Sequence, residues 1–168
     1  MKAFFFLALL APVFALPANQ DCNSGKAAAV IGGGGAANAT CAATKAQLEK
    51  GIQDNLNIQA QELQGVKTLQ AQLGTAEFKT TQAKVLNIQQ RGIEIRANNQ
   101  KLAKEISSPA LDGLNIVQGA QITEQDQVKG LKNQAATDTD TLNTLVQEVT
   151  DGTAQNQKNL AAAKTTNC

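Results

Sequence analysis

The sequence predicts an all-α protein: an elongated antiparallel four-helix bundle in up-down-up-down order, preceded by a flexible N-terminal arm. After residue 40, apolar residues recur every three or four positions over most of the chain, which is the spacing of an amphipathic helix. Short breaks at Gly74-Thr75 and at Ser107-Ser108-Pro109 divide this pattern. Connections of a few residues place successive helices antiparallel to one another.

Residues 1–15 are predicted to be a signal peptide. The single positive charge at Lys2 is followed by an apolar run that ends at Pro12, with a small residue placed for cleavage. The run is shorter than the roughly 20 apolar residues that a membrane-spanning helix needs. We therefore expect a secreted, extracellular protein without an integral membrane span, whose mature chain begins near Leu16 or Asn19.

Residues 16–40 are predicted to be an N-terminal arm that contains a glycine-rich loop at Gly32–Gly35. The residues Gly32, Gly34 and Ala37 match the glycine pattern of dinucleotide-binding folds. That pattern binds a pyrophosphate only inside a βαβ unit, and the residues that follow have helical spacing and no second strand. The sequence therefore predicts neither a nucleotide site nor any other cofactor.

The helical bundle domain is predicted over residues 41–168. Its first helix extends from about Thr40 to Leu73, and its second ends at Ile106 before the serine pair. The positions assigned to the buried faces of these two helices are Leu48, Ile52, Leu56, Ala60, Leu63, Val66, Leu69 and Leu73, and then Phe78, Thr81, Val85, Ile88, Gly92, Ile95, Asn99, Leu102 and Ile106.

The third predicted helix has Ser108 as its N-cap and Pro109 at its first position, both favoured there. The fourth begins at Thr137-Asp138 and ends near Lys164, with Asp138 placed to cap its N-terminus. The positions assigned to their buried faces are Leu111, Leu114, Val117, Ile122, Val128 and Leu131, and then Leu142, Leu145, Val149, Gly152 or Thr153, Asn156, Leu160 and Ala163.

Gly92 and Asn99 are predicted to be the weak points of the core. Polar residues in a helical seam lower stability but can fix the alignment of the helices, and a glycine inside a helix costs up to about 1 kcal/mol relative to alanine. We interpret these two positions as a hinge or weakly packed region at which the bundle opens.

Three cysteines remain after removal of the signal peptide: Cys22, Cys41 and Cys168. In an oxidising compartment two of them should pair and one is left over. The start of the first helix and the end of the fourth lie at the same end of an up-down-up-down bundle, which favours a bond that involves Cys168. A Cys22–Cys41 bond is the alternative.

Asn38-Ala39-Thr40 is an N-glycosylation sequon. In a secreted eukaryotic protein, we expect Asn38 to accept an N-linked sugar on an exposed loop.

The composition excludes several classes of function. The chain has no histidine, which removes the Ser-His and Cys-His nucleophile pairs and the commonest zinc ligand. Its formal charge is +1, and it has no tryptophan or tyrosine, so neither a basic surface nor aromatic stacking partners are available for nucleic acid. We therefore predict no catalytic residues, no metal site and no nucleic-acid binding.

The signal peptide, the size, the long helices rich in Ala, Gln and Thr, and the sequon together resemble the small secreted proteins of filamentous fungi. The region from Ala43 to Ala163 is similar in pattern to the fungal hydrophobic-surface-binding family. Members of that family are exported helical proteins that adsorb to hydrophobic surfaces, so the resemblance implies the same fold and a binding function.

The leading hypothesis is a secreted non-enzymatic interaction protein that binds through apolar helix faces. It would adsorb to a hydrophobic surface, a cell wall or an extracellular protein, or act as a host-directed effector in virulence. The alternative is an extracellular carrier of lipid or another apolar ligand in a bundle that opens. A carrier predicts a continuous pocket, which the following residues would line: Leu56, Leu63, Val85, Ile95 and Leu145.

Overall fold

The computed structural model describes residues 33–168. Within that range the chain forms helices α1 (Gly33–Ala71), α2 (Phe78–Glu105), α3 (Leu111–Gly130) and α4 (Ala135–Lys164). Around the bundle, α1 packs against α2 and α4, and α3 packs against the same two helices. This confirms the predicted all-α, up-down-up-down bundle. The predicted signal peptide and most of the predicted arm lie outside the described residues.

Helix α1 begins earlier than the sequence predicts. It starts at Gly33, inside the glycine run predicted as a loop and eight residues before Cys41, where the bundle domain was predicted to start. Five of the eight residues from Ala36 to Ala43 are alanine, the residue with the highest helix propensity. The alanines therefore extend the helix back into the glycine run. At about 1.5 Å per residue, α1 is about 58 Å long.

We call the end of the bundle that contains the start of α1 and the end of α4 the disulfide end. Cys41 and Cys168 form a disulfide there, with their Cα atoms 5.5 Å apart. This confirms the pairing that uses Cys168, and the alternative Cys22–Cys41 bond is wrong. Cys22 itself lies outside the described residues.

Hydrogen bonds between helix termini complete the disulfide end. Lys45 Nζ donates to the carbonyl oxygens of Lys164 and Thr166, at 2.7 and 2.9 Å, and so satisfies the C-terminus of α4. Ser108 Oγ accepts from the N–H of Ala110 at 3.3 Å. The prediction of Ser108 as the N-cap of α3 is wrong, because Ala110 occupies that position. Regular helix begins two residues after Pro109, at Leu111.

We call the opposite end, which contains the α1–α2 and α3–α4 connections, the loop end. Asn133 joins these two connections, because its Oδ1 accepts from the N–H of Gly74 at 2.7 Å and its Nδ2 donates to the carbonyl of Thr75 at 2.8 Å. Asp138 Oδ2 accepts three backbone N–H groups of residues 132–134, at 2.7 to 3.1 Å. Asp138 therefore fixes the segment before α4, but it is not the N-cap that was predicted, because α4 begins at Ala135 and its N-cap is Gln134.

Two apolar clusters lie at the two ends of the interior. The loop-end cluster consists of Val66, Leu69, Phe78, Val85, Val128, Leu131, Leu142 and Leu145. The disulfide-end cluster consists of Leu48, Ile52, Ala103, Ala110, Leu114 and Ala163.

Candidate functional site

The interior between the two apolar clusters is largely polar. Eight buried side chains from all four helices, none more than 4% exposed, form what we call the polar core: Asn55, Gln59, Glu62, Gln89, Arg96, Gln121, Glu124 and Asn156. Apolar neighbours such as Val117 and Val149 share this level. Burying so many polar groups is costly unless each finds a partner, so their hydrogen bonds decide what this region does.

Helix α2 shows how the sequence positions these groups. Its buried residues follow a strict 4-3 spacing through Phe78, Gln82, Val85, Gln89, Gly92, Arg96, Asn99 and Ala103. The predicted buried face had Thr81, Ile88, Ile95 and Leu102, each one residue before a member of this set. These four side chains are only partly buried. They lie beside the buried row of α2 and pack at the edges of its contacts with the neighbouring helices.

The same correction applies to α1 and α3. In the middle of α1, the buried positions are Asn55, Ile58, Gln59 and Glu62, whereas the prediction had Leu56, Ala60 and Leu63. Leu56 and Leu63 are partly buried and Ala60 is exposed. In α3, Gln121 and Glu124 are buried and the predicted core residue Ile122 is 49% exposed.

Asn55 is the junction of one half of the polar core. Its Oδ1 accepts from Arg96 Nε at 2.9 Å and from Asn156 Nδ2 at 2.6 Å. Its Nδ2 donates to the carbonyl of Gly92 at 3.1 Å. Asn156 Nδ2 also donates to Gln59 Oε1 at 2.9 Å. These bonds link α1, α2 and α4 at one level.

Glu62 is the junction of the other half. Its carboxylate accepts from Gln89 Nε2 at 2.7 Å and from Gln121 Nε2 at 2.9 and 3.0 Å. Gln121 Oε1 in turn accepts from the guanidinium of Arg96. Glu124, which is also buried, interacts electrostatically with Glu62. Two buried carboxyl groups that act on each other in this way favour retention of a proton.

Burial determines where this proton resides. Burial and the negative charge of Glu62 raise the pKa of Glu124 to about 8, with a smaller opposing effect from Arg96. Burial also raises the pKa of Glu62, against the hydrogen bonds from Gln121 and Gln89. Burial lowers the pKa of Arg96 to about 10. Burial therefore favours retention of one proton by the Glu62–Glu124 pair, and a pair that holds one proton balances the charge of Arg96.

The structure buries both residues predicted as weak points. Asn99 packs against Gly51, so closely that a Cβ atom at Gly51 would overlap the Asn99 amide oxygen. Neither polar atom of the Asn99 side chain has a hydrogen-bond partner among the described residues. At Gly92 a Cβ atom would lie 3.2 Å from Ile58 Cγ2. The two sites therefore differ. Asn99 has buried polar atoms without a partner, whereas Gly92 lies close to the side chain of Ile58.

Helix α3 carries an exposed surface without charge. Ile116 is 65% exposed and Ile122 is 49% exposed, and no charged residue occurs between Asp112 and Glu124. We call the exposed residues of this stretch the uncharged α3 face: Asn115, Ile116, Gly119, Ala120, Ile122 and Thr123.

A groove of about 290 Å³ borders this face between α3 and α4. Its lining is Ile116, Val117, Ala120, Glu148, Asp151, Gly152 and Gln155. A second groove, of about 350 Å³, lies near the disulfide, between α1 and the end of α2. The five residues predicted to form a carrier pocket line neither groove, and Val85 and Leu145 are instead packed in the loop-end cluster.

The remaining predicted site residue, Asn38, is exposed and lies on α1, so its position is helical where a loop was expected. Residues 33–168 contain no group of three or more acidic or cysteine side chains arranged to hold a metal ion. Across the same part of the chain, none of the helices has the length and apolar character needed to cross a membrane.

In comparisons with known proteins, no family model, no curated protein and no solved structure matched this chain. The two features of the molecule that bear on function are therefore the uncharged α3 face and the polar core.

Proposed function

We propose that this protein is a secreted, non-enzymatic interaction protein that adsorbs to hydrophobic surfaces through the uncharged α3 face. The single observation that carries the proposal is the exposure of Ile116 and Ile122 within a stretch of α3, between Asp112 and Glu124, that has no charged residue. A host-directed effector would use the same face toward an apolar patch on an extracellular protein.

Helix α3 differs from its neighbour α2 in the charge on its exposed surface. The exposed surface of α2 includes Lys84, Arg91, Glu94 and Lys101, and contact with an apolar surface would remove these charges from water at high cost. The α3 face has no such cost, and full burial of an isoleucine side chain contributes about 1.5–3 kcal/mol. Adsorption through α3 is therefore the favourable orientation.

The positions of the buried carboxylates support a binding function over catalysis. Glu62 and Glu124 line neither groove, and the carboxylate oxygens of Glu62 accept hydrogen bonds from two glutamine side chains. A general acid or base must reach the proton that it transfers. The carrier alternative has no comparable support, because its predicted pocket residues line neither groove.

The test is depletion of the mature, disulfide-intact protein from solution by hydrophobic beads. We expect the variant Ile116→Gln/Ile122→Gln to adsorb about tenfold more weakly or worse, because two apolar side chains are lost from the contact. The matched control is Ala83→Gln/Ala97→Gln, at two exposed positions of α2, which should adsorb like the wild type. Equal adsorption of the α3 variant and the control would disprove the role of α3.

A further inference from the structure

We propose that the polar core contains a proton-operated latch: the Glu62–Glu124 carboxyl pair, together with Arg96, holds the four helices closed while it retains one proton and loosens them when that proton is lost. This inference goes beyond the proposed adsorption, since it concerns the closure of the bundle and does not depend on the α3 face.

The position of the pair gives it influence over the whole interior. Glu62 belongs to α1 and Glu124 to α3, two helices that lie diagonally across the bundle, each packed chiefly against α2 and α4. The two carboxyl groups therefore act on each other across the centre of the bundle. Glu62 also accepts from Gln89 on α2, so a single carboxylate connects three helices.

The charge balance of this region depends on one proton. The titratable groups that act on Glu124 are Glu62 on α1, Arg96 on α2 and Glu148 on α4. With one proton in place, the single negative charge of the pair balances Arg96. Without it, two buried carboxylates oppose one guanidinium, and repulsion from Glu148 adds to the imbalance.

The side chain of Arg96 is not positioned to correct the imbalance by direct contact. Its hydrogen bonds go to Asn55 and Gln121, not to a carboxylate oxygen. A net negative charge would therefore remain on side chains that are at most 4% exposed, where it is costly, and opening of the structure to water would relieve that cost.

The direction of the pH dependence follows from burial. Because the folded protein holds this proton more tightly than the unfolded chain does, the stabilisation is complete below the unfolded value near 4.5 and is lost as pH rises through about 8. The latch is thus closed in acidic and neutral solution and loosens in mildly alkaline solution. The absence of histidine leaves few other side chains that titrate between pH 5 and 9.

The test is denaturant unfolding of the mature protein at pH 5, 7 and 9, in a Cys22→Ser background that removes the third thiol. We expect the unfolding equilibrium constant of this protein to rise on the order of 100-fold from pH 5 to pH 9. The variant Glu124→Gln should lose most of this dependence, because an amide N–H donates to Glu62 in place of the proton. The variant Glu94→Gln, at an exposed carboxylate of α2, should retain it.

A carboxyl ¹³C titration of the unsubstituted mature chain provides a second measurement that requires no variant. One glutamate should titrate well above pH 6. Stability that is equal at pH 5 and 9, or a titration in which every glutamate is ionised by pH 6, would overturn the latch. Neither measurement involves adsorption, so failure of the α3 proposal leaves this result unaffected, and the reverse also holds.

Discussion

The loop-end cluster and the polar core occupy equivalent positions in successive turns of the same four helices, but they contribute differently to the fold. Phe78, Val85, Leu142 and Leu145 are fully buried in the loop-end cluster, where apolar burial supplies most of the stabilisation. In the polar core, comparable depth is occupied by amides and ions, and the gain from their hydrogen bonds is largely offset by lost solvation.

The difference suggests a division between stability and alignment. Apolar side chains pack against one another in several arrangements at modest cost, so the clusters tolerate a shift between helices. The polar core does not, because moving one helix by a turn would separate Arg96 from Asn55 and Glu62 from Gln121. We infer that the ends provide most of the stability and that the middle selects one alignment.

The largest expected effect comes from removing the covalent link at the disulfide end. The bond closes a loop with a sequence separation of 127 residues, and the chain-entropy model predicts that Cys168→Ser lowers the free energy of unfolding by about 4–5 kcal/mol. Denaturant titration measures this loss. Cys41→Ser should lose the same amount, and the double variant no more than either alone. A loss below about 1 kcal/mol would mean that the end clusters suffice by themselves.

The next prediction tests the polar core against an apolar substitute. Arg96→Met leaves Glu62 buried without a cation and should lower stability by about 3–5 kcal/mol. Replacing the network together should instead raise stability by about 1–4 kcal/mol over the wild type. The five-substitution variant consists of Glu62→Leu, Gln89→Leu, Arg96→Met, Gln121→Leu and Glu124→Leu.

Arg96→Met and the five-substitution variant can be compared by thermal and denaturant unfolding, with analytical ultracentrifugation to measure their oligomeric state. If the polar core selects the alignment, the apolar variant should also form more than one oligomeric species. An apolar variant less stable than Arg96→Met would contradict the division between ends and middle.

The smallest expected effect concerns Asn99 and Gly92. Asn99→Leu should raise stability by about 1–2 kcal/mol, because it removes two unsatisfied polar atoms and buries apolar surface. Gly92→Ala should change stability by less than about 0.5 kcal/mol, since the gain in helix propensity is offset by crowding against Ile58. Asn98→Leu, at the exposed neighbouring position, is the control and should have little effect. A larger gain from Gly92→Ala than from Asn99→Leu would reverse this ranking.

The sequence predicted the helices, their order and the end at which the disulfide forms, because these features depend on local spacing and on short connections. It did not predict the polar core. A buried glutamine has the same appearance in a sequence as an exposed one, and its partner lies on another helix: Gln89 and Glu62 are 27 residues apart, and Asn156 and Asn55 are 101 apart.

One signal in the sequence could have located the seam. Phe78 and Val85 are seven residues apart and both are buried, and continuing from Val85 in alternating steps of four and three gives Gln89, Gly92 and Arg96. The prediction chose steps of three and then four because they placed isoleucine and leucine inside. The predicted helical periodicity of α2 was correct, but the assumption that its apolar residues occupy the centre of the bundle was wrong.

The Cys41–Cys168 bond also makes the helices a covalent ring. Its four connections are the three segments between successive helices and the disulfide, which alternate between the two ends of the bundle. A protease that cuts once among the exposed residues 74–77 opens this ring without releasing a fragment. The product is a two-chain protein in which α1 remains attached to the other three helices through the disulfide. The bundle thus keeps every helix after a single cleavage.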